Sequence, residues 1–140
     1  MGRIKLEPLK NYRFSHEQRI FFSHINQAMH VGAPQMAVIL HDGRYQMLKT
    51  LEIHEFNLGD GKTGAVISDL VINFKAEIFL DDIITVETDF GEIEEKGFRI
   101  FYRISKNGKT AVLAETGHIC FNFSAKTVCT VPEVFVNKLK

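Results

Sequence analysis

Three polar side chains, His24, Asn26 and His30, lie just ahead of Gly32 and Pro34, where a helical pattern begins. Proline is favoured at the first helical position, because its missing N–H would be unpaired there anyway. The N–H groups of Val31, Gly32 and Ala33 then fall at a helix N-terminus, which carries a positive partial charge of about half a unit. Gly32 permits close backbone approach, and Pro34 itself donates nothing. Such an end can bind the negative charge that develops on a carbonyl oxygen during acyl transfer. Each residue also has a plainer reading. A loop histidine can be a structural hydrogen-bonder, and asparagine is common in turns. His24, Asn26 and His30 lack a second His or Cys pair, so no metal is expected. Cys120 reads as a small hydrophobe, and Asp69 as a partner for a neighbouring basic residue.

The elements that hold these residues emerge from periodicity. Residues 17–23 are β-prone and 24–33 irregular. From 35 to about 51, Met36, Leu40, Gly43, Met47 and Leu51 recur at spacings of 4, 3, 4 and 4, a helical stripe. Gly43 costs about 1 kcal/mol against alanine in a helix interior, which close packing on a sheet would offset. Asp42 points nearly opposite that stripe, since each residue turns the helix by about 100°. Residues 57–62 form a turn-rich loop, and beyond it the segments alternate with period two. The expected inward sets are Val66, Leu70, Ile72 and Phe74; Ile84, Val86 and Phe90; and Phe98, Ile100, Tyr102 and Ile104. Thr85, Glu87, Asp89, Arg99 and Arg103 are expected outward. Glu95-Lys96-Gly97 reads as a tight connection. Asn107-Gly108 signals a type I′ hairpin leading into a last strand over 109–123.

One helix and about five strands imply an α+β fold in which a curved antiparallel sheet wraps the helix. Phe101, Val112, Ala114 and Cys120 are read on the outer face of that sheet, where a partner subunit would cover them. The 140 residues fit a single domain spanning 1–140, with no repeat or linker. Lys+Arg and Asp+Glu are both 17, so no nucleic-acid partner is expected. Nothing in residues 1–11 has the apolar run of a secretory signal, and no stretch of about 18 apolar residues could span a bilayer. No membrane partner is expected. Cys120 and Cys129 should be free thiols in the cytoplasm.

The run His24-Ile25-Asn26-Gln27-Ala28-Met29-His30-Val31-Gly32, with His41-Asp42-Gly43-Arg44 after it, resembles a motif of the 4-hydroxybenzoyl-CoA thioesterase-like branch of the hotdog superfamily. Residues 68–77 are similar to that family's second strand, and Leu80-Asp81-Asp82 to the turn before its third. The resemblance runs from about Gln18 to Phe123. It departs from the family pattern at three places: His24 replaces an Asp, Met29 a Gly, and Asp42 a longer Glu.

The resemblance implies a hotdog fold, hydrolysis of an acyl thioester, usually of coenzyme A, and an active site at the interface of a homodimer, often paired into tetramers. It implies no cofactor beyond the coenzyme A of the substrate. Asn26 stands where many relatives carry a nucleophilic or basic Asp. An amide can do neither, so Asn26 would orient a water or hold the carbonyl, and Asp42 would be the base. His30 joins them as the motif histidine, and the N–H groups of Val31, Gly32 and Ala33 would form the oxyanion site. Arg44 and Lys75 would meet the phosphates of CoA, or else be solvated surface charges. Two further readings stay open: a non-catalytic acyl-thioester-binding protein, and a hotdog hydratase or dehydratase.

Overall fold

A computed structural model describes residues 2–140. In chain order the elements are strand β1 (Phe14–Arg19), a 3-10 turn (Phe22–His24), helix α1 (Ala33–Thr50), strands β2 (Thr63–Phe74), β3 (Ile83–Ile93), β4 (Gly97–Lys106), β5 (Lys109–Asn122) and β6 (Thr127–Val128), and helix α2 (Glu133–Lys138). Every strand pair is antiparallel, in the order β1-β3-β4-β5-β2, with β6 paired to β5. The sheet curves around α1, giving the expected α+β architecture with six strands instead of about five. Among the described residues, no helix is long and apolar enough to cross a membrane.

Helix α1 starts where the proline requires: Gly32 is its N-cap and Pro34 lies in its first turn. Its buried face carries Met36, Ile39, Leu40, Gly43, Met47 and Leu48. The expected reason for Gly43 holds. A Cβ there would lie 2.9 Å from Val86 Cγ1, so the glycine lets α1 press onto β3. The Asn107-Gly108 turn has positive φ at both residues, 53° and 77°, as a type I′ hairpin needs.

The first strand lies earlier than the β-prone segment suggested. At Phe22–His24 the chain turns instead, because the Phe21 N–H donates to His24 Nδ1 at 2.9 Å. That bond gives His24 a structural role. Helix α2, unforeseen in the sequence, closes one end of the core: Phe135 is fully buried with its ring 4.9 Å from Phe98 and 5.5 Å from Phe90.

The expected outer face of the sheet is corrected. Val112, Ala114 and Cys120 point inward and are buried, paired beside Ile104, Tyr102 and Ala65. Phe101 is half-buried, packed over Gly91. Part of the outer face meets the chain's own N-terminal segment, through Ile4, Leu6, Tyr12 and Arg13. Asn73 receives the Leu6 N–H and donates to Ile4 O, Tyr12 lies under Arg103, and Arg13 pairs with Asp89, which is therefore buried.

A second correction concerns β2. Its register against β5 shifts between Ile67 and Asp69. Across that bulge Val66 falls on the outer face beside Ile119, while Leu70, Ile72 and Phe74 keep the inner parity. Because β2 is an edge strand, inner parity does not bury them. Val66, Ile67, Leu70 and Phe74 remain 39%, 48%, 42% and 44% exposed.

Candidate active site

The irregular segment 25–32 is folded back on itself. Ile25 bridges Val31, and the Asn26 N–H donates to His30 O at 3.1 Å. Met29, at the tip, takes φ 66°, a left-handed conformation unusual for a side chain without a local polar group. The Met29 N–H donates to Asn26 O, and the Ala28 N–H donates to Asn26 Oδ1 at 3.0 Å, an Asx turn. With Oδ1 committed there, the Asn26 amide is held with Nδ2 toward Gly32, 2.8 Å from where a Cβ on that glycine would sit.

This loop and the start of α1 form one wall of a cleft of about 430 Å³. Asn26, His30, Gly32, Ala33 and Met36 line it, and residues 74–78 form the opposite wall. His30 bridges Phe79, and its Nδ1 lies 3.3 Å from Val31 O. Lys75 stands exposed at the rim.

The expected oxyanion donors separate. The Val31 N–H donates to Ile78 O at 2.9 Å, so it cannot also serve a ligand. The N–H groups of Gly32 and Ala33 have no acceptor among the described residues, and no side chain caps the helix. Both residues line the cleft, so the helix N-terminus there carries two unpaired N–H donors.

Asp42 does not line this cleft. It is exposed in a separate depression with His41, Tyr45, His54, Glu55 and Phe56. Arg44 is a correction: it is not a phosphate-facing surface charge. It is 5% exposed, with Nε 2.5 Å from Glu55 Oε1, NH1 donating to Tyr102 Oη at 3.1 Å, and NH2 2.8 Å from His41 Nδ1. The chain continues from Tyr102 Oη to Thr116 Oγ1 at 2.7 Å and on to His118 Nε2 at 2.8 Å. Burial, with Arg44 and Arg99 adding their positive charge, pushes the His118 pKa down to about 3. Sequence reading missed this buried polar chain, although Arg44 lies four residues after Leu40 and four before Leu48, both buried.

Cys120 behaves as a hydrophobe, since burial pushes its thiol pKa up to about 12. Asp69 pairs with Arg99 at 2.5 Å. Among the described residues, no cluster of His, Cys, Asp and Glu could hold a metal.

A curved antiparallel sheet around one helix, with a cleft at that helix's N-terminus, defines the hotdog class. The chain belongs to the thioesterase-like superfamily, whose family model matches residues 21–139. Solved structures agree on the fold. A hypothetical protein from Aquifex aeolicus shares 18% identity at TM-score 0.83, over 91% of this chain and 99% of that one. A 1,4-dihydroxy-2-naphthoyl-CoA thioesterase from Synechocystis shares 18% at TM-score 0.80, over 90% and 94%. A gentisyl-coenzyme A thioesterase shares 21% at TM-score 0.80, over 91% and 100%. Comparison with proteins of curated function finds no match.

Proposed function

We propose that this protein hydrolyses an acyl-CoA thioester to the carboxylic acid and free CoA, acting as a homodimer in the cytoplasm. The observation that carries the reading is the pair of unpartnered N–H groups at Gly32 and Ala33, open to a cleft beside Asn26 and His30. Two such donors suit the oxyanion of a tetrahedral intermediate. Structural kinship to thioesterases whose names specify aromatic acyl-CoAs supports the substrate class.

In this reading the thioester carbonyl oxygen rests on Gly32 and Ala33. A water held by Asn26 bonds the carbonyl carbon and gives its proton to Asp42 of the partner subunit. Collapse breaks the carbon–sulfur bond, and the proton passes to the CoA sulfur. Lys75 at the cleft rim would meet a CoA phosphate, a role for which Arg44 is too deeply buried.

Placing Asp42 in trans rests on the exposed edge. The free side of β2 offers backbone groups and four apolar side chains to a second copy. Their burial is worth roughly 25 cal/mol per Å² before association entropy is subtracted. Antiparallel pairing of two β2 edges sets the Phe74 end of one protomer beside the Thr63 end of the other. The Asp42 depression lies at that Thr63 end, since Glu55 O and Phe56 Cα sit 2.5 and 3.1 Å from the Cβ position of Gly64. The cleft of one protomer would thus meet Asp42 of its partner.

A panel of short, long and aromatic acyl-CoAs, monitored by thiol release, tests the reaction. Asp42→Asn should lower kcat by about 100-fold, the scale of general-base catalysis. Co-expressed Gly32→Val and Asp42→Asn chains should regain activity that neither variant has alone. An active monomer on dilution, or no recovery in the mixture, sinks the shared site.

The amide at position 26 favours one second reading, an acyl-thioester-binding protein without turnover. Calorimetric binding of acyl-CoA with no thiol released would support it.

A further inference from the structure

The two cysteines lie far from the cleft, Cys120 in β5 and Cys129 just past β6. Strand β6 pairs Val128 with Phe121 and Thr127 with Asn122, so one step further along the register Cys129 falls opposite Cys120. The backbone closes that step, since the Cys129 N–H donates to Cys120 O at 3.0 Å. Residues directly opposite in an antiparallel pair point to the same face of the sheet. Here it is the inner face: Cys120 is fully buried in the core, and Cys129, half-buried, packs against it. The Cys129 thiol also donates to Thr63 Oγ1 at 3.9 Å. Thr63 lies on β2, which flanks β5 on the side away from β6, so this reach carries the Cys129 sulfur across the inner face of β5, where Cys120 points. Hydrogen-bonded antiparallel partners have Cα atoms about 5.5 Å apart, inside the range of about 4.4–6.8 Å that a disulfide spans.

We propose that Cys120 and Cys129 are a reversible redox pair, closed to an intramolecular disulfide by a peroxide. Hydrogen peroxide transfers one oxygen to the Cys129 sulfur: the O–O bond breaks, the thiol becomes a sulfenic acid, and a water leaves. The Cys120 sulfur then bonds the Cys129 sulfur. The S–OH bond breaks, and the hydroxyl departs as a second water with the Cys120 thiol hydrogen. Two thiols lose two electrons in all, and the peroxide gains them. Access sets the order. Burial, then the nearby Cys129 and Asp60, push the Cys120 thiol up to about 12, so it is inert toward oxidant in solution and acts only on a sulfur already beside it. Cross-strand Cβ atoms stand about 4.5–5.5 Å apart, against about 3.5–4.5 Å in a disulfide, so closing the bridge draws β6 toward β5. That small misfit keeps the bond easy to reduce, as a switch requires. The bridge ties down the segment that follows Cys129, which carries α2 and the core-closing Phe135.

The test treats the folded, full-length chain with hydrogen peroxide, then unfolds and alkylates it without reductant. Peptide mapping should find the Cys120 peptide joined to the Cys129 peptide, with neither thiol alkylated, and a thiol reductant should restore both. The oxidised protein should melt about 5 °C or more above the reduced one, because the bridge closes a short loop of the unfolded chain. Cys120→Ala should trap Cys129 as a sulfenic acid, captured by a dimedone probe. Cys129→Ser should leave Cys120 a free thiol after the same treatment. Overoxidation of Cys129 with Cys120 still alkylated, a covalent dimer through Cys129, or two unreacted thiols would each overturn the proposal. Peptide linkage is read without any substrate, so the outcome is independent of whether the protein hydrolyses thioesters.

Discussion

The buried polar chain behind α1 and the cleft at its N-terminus are made of the same kinds of groups, yet one is closed and the other open. From Glu55 through Arg44, Tyr102 and Thr116 to His118, each group meets the next at hydrogen-bond distance. Arg44 can only donate, so Tyr102 passes its hydrogen to Thr116, and Thr116 to His118 Nε2. His118 is then neutral with its proton on Nδ1, the chain's one atom without a partner. In the cleft, the Gly32 and Ala33 N–H groups have no acceptor among the described residues. The first arrangement satisfies all but one of its polar atoms internally and stabilises the fold. The second leaves them for something that arrives.

Substitutions should therefore divide cleanly between stability and activity. The largest effect is expected at Arg44→Met, which strands Glu55 and removes the donor to Tyr102. Breaking one partner of a buried pair costs about 3 kcal/mol, readable by urea unfolding. A loss under about 1 kcal/mol would mean that the chain is not structural.

The next concerns pH. His118 has its pKa lowered from 6.5 to about 3 in the folded protein. The unfolded state therefore binds the extra proton first, and stability falls as pH drops below 6.5 toward 3. Between about pH 6.5 and 5, where ordinary carboxylates stay ionised, the decline should approach about 1.4 kcal/mol per pH unit. His118→Gln should flatten that slope, and an unchanged slope would place the titration elsewhere.

The smallest stability effect is expected in the cleft. Asn26→Asp keeps the acceptor for the Ala28 N–H and should shift unfolding by no more than about 0.5 kcal/mol. It should nevertheless raise kcat, by about 10-fold or more, because a carboxylate then faces the water. A large stability change with no kinetic change would reverse the contrast between the two regions.

Much of the frame was legible beforehand. Pro34 and the stripe from Met36 to Leu51 marked α1, and Asn107-Gly108 marked the β4–β5 turn, because both signals are local to a few residues. Arg44 was misread for the opposite reason. Its helical spacing fits the buried stripe, but arginine is buried only when partners exist, and Glu55 and Tyr102 come from other elements. The inward reading of Val66 failed because a bulge is fixed by pairing with β5, which alternation along β2 alone does not reveal.

The amino-acid sequence by itself determined the order of elements, the helix N-terminus and the family motif, since periodicity and turn chemistry act between near neighbours. Tertiary structure alone decided which N–H groups remain free. Val31 spends its donor on Ile78 and Gly32 keeps its own, a difference set by how the 74–78 segment packs against the loop. It likewise set Asp42 apart from the cleft, and brought Asn26 and Gln35 together over one glycine. Hydrogen bonds between distant segments depend on the packed geometry of both, and no pattern read along one of them contains the other.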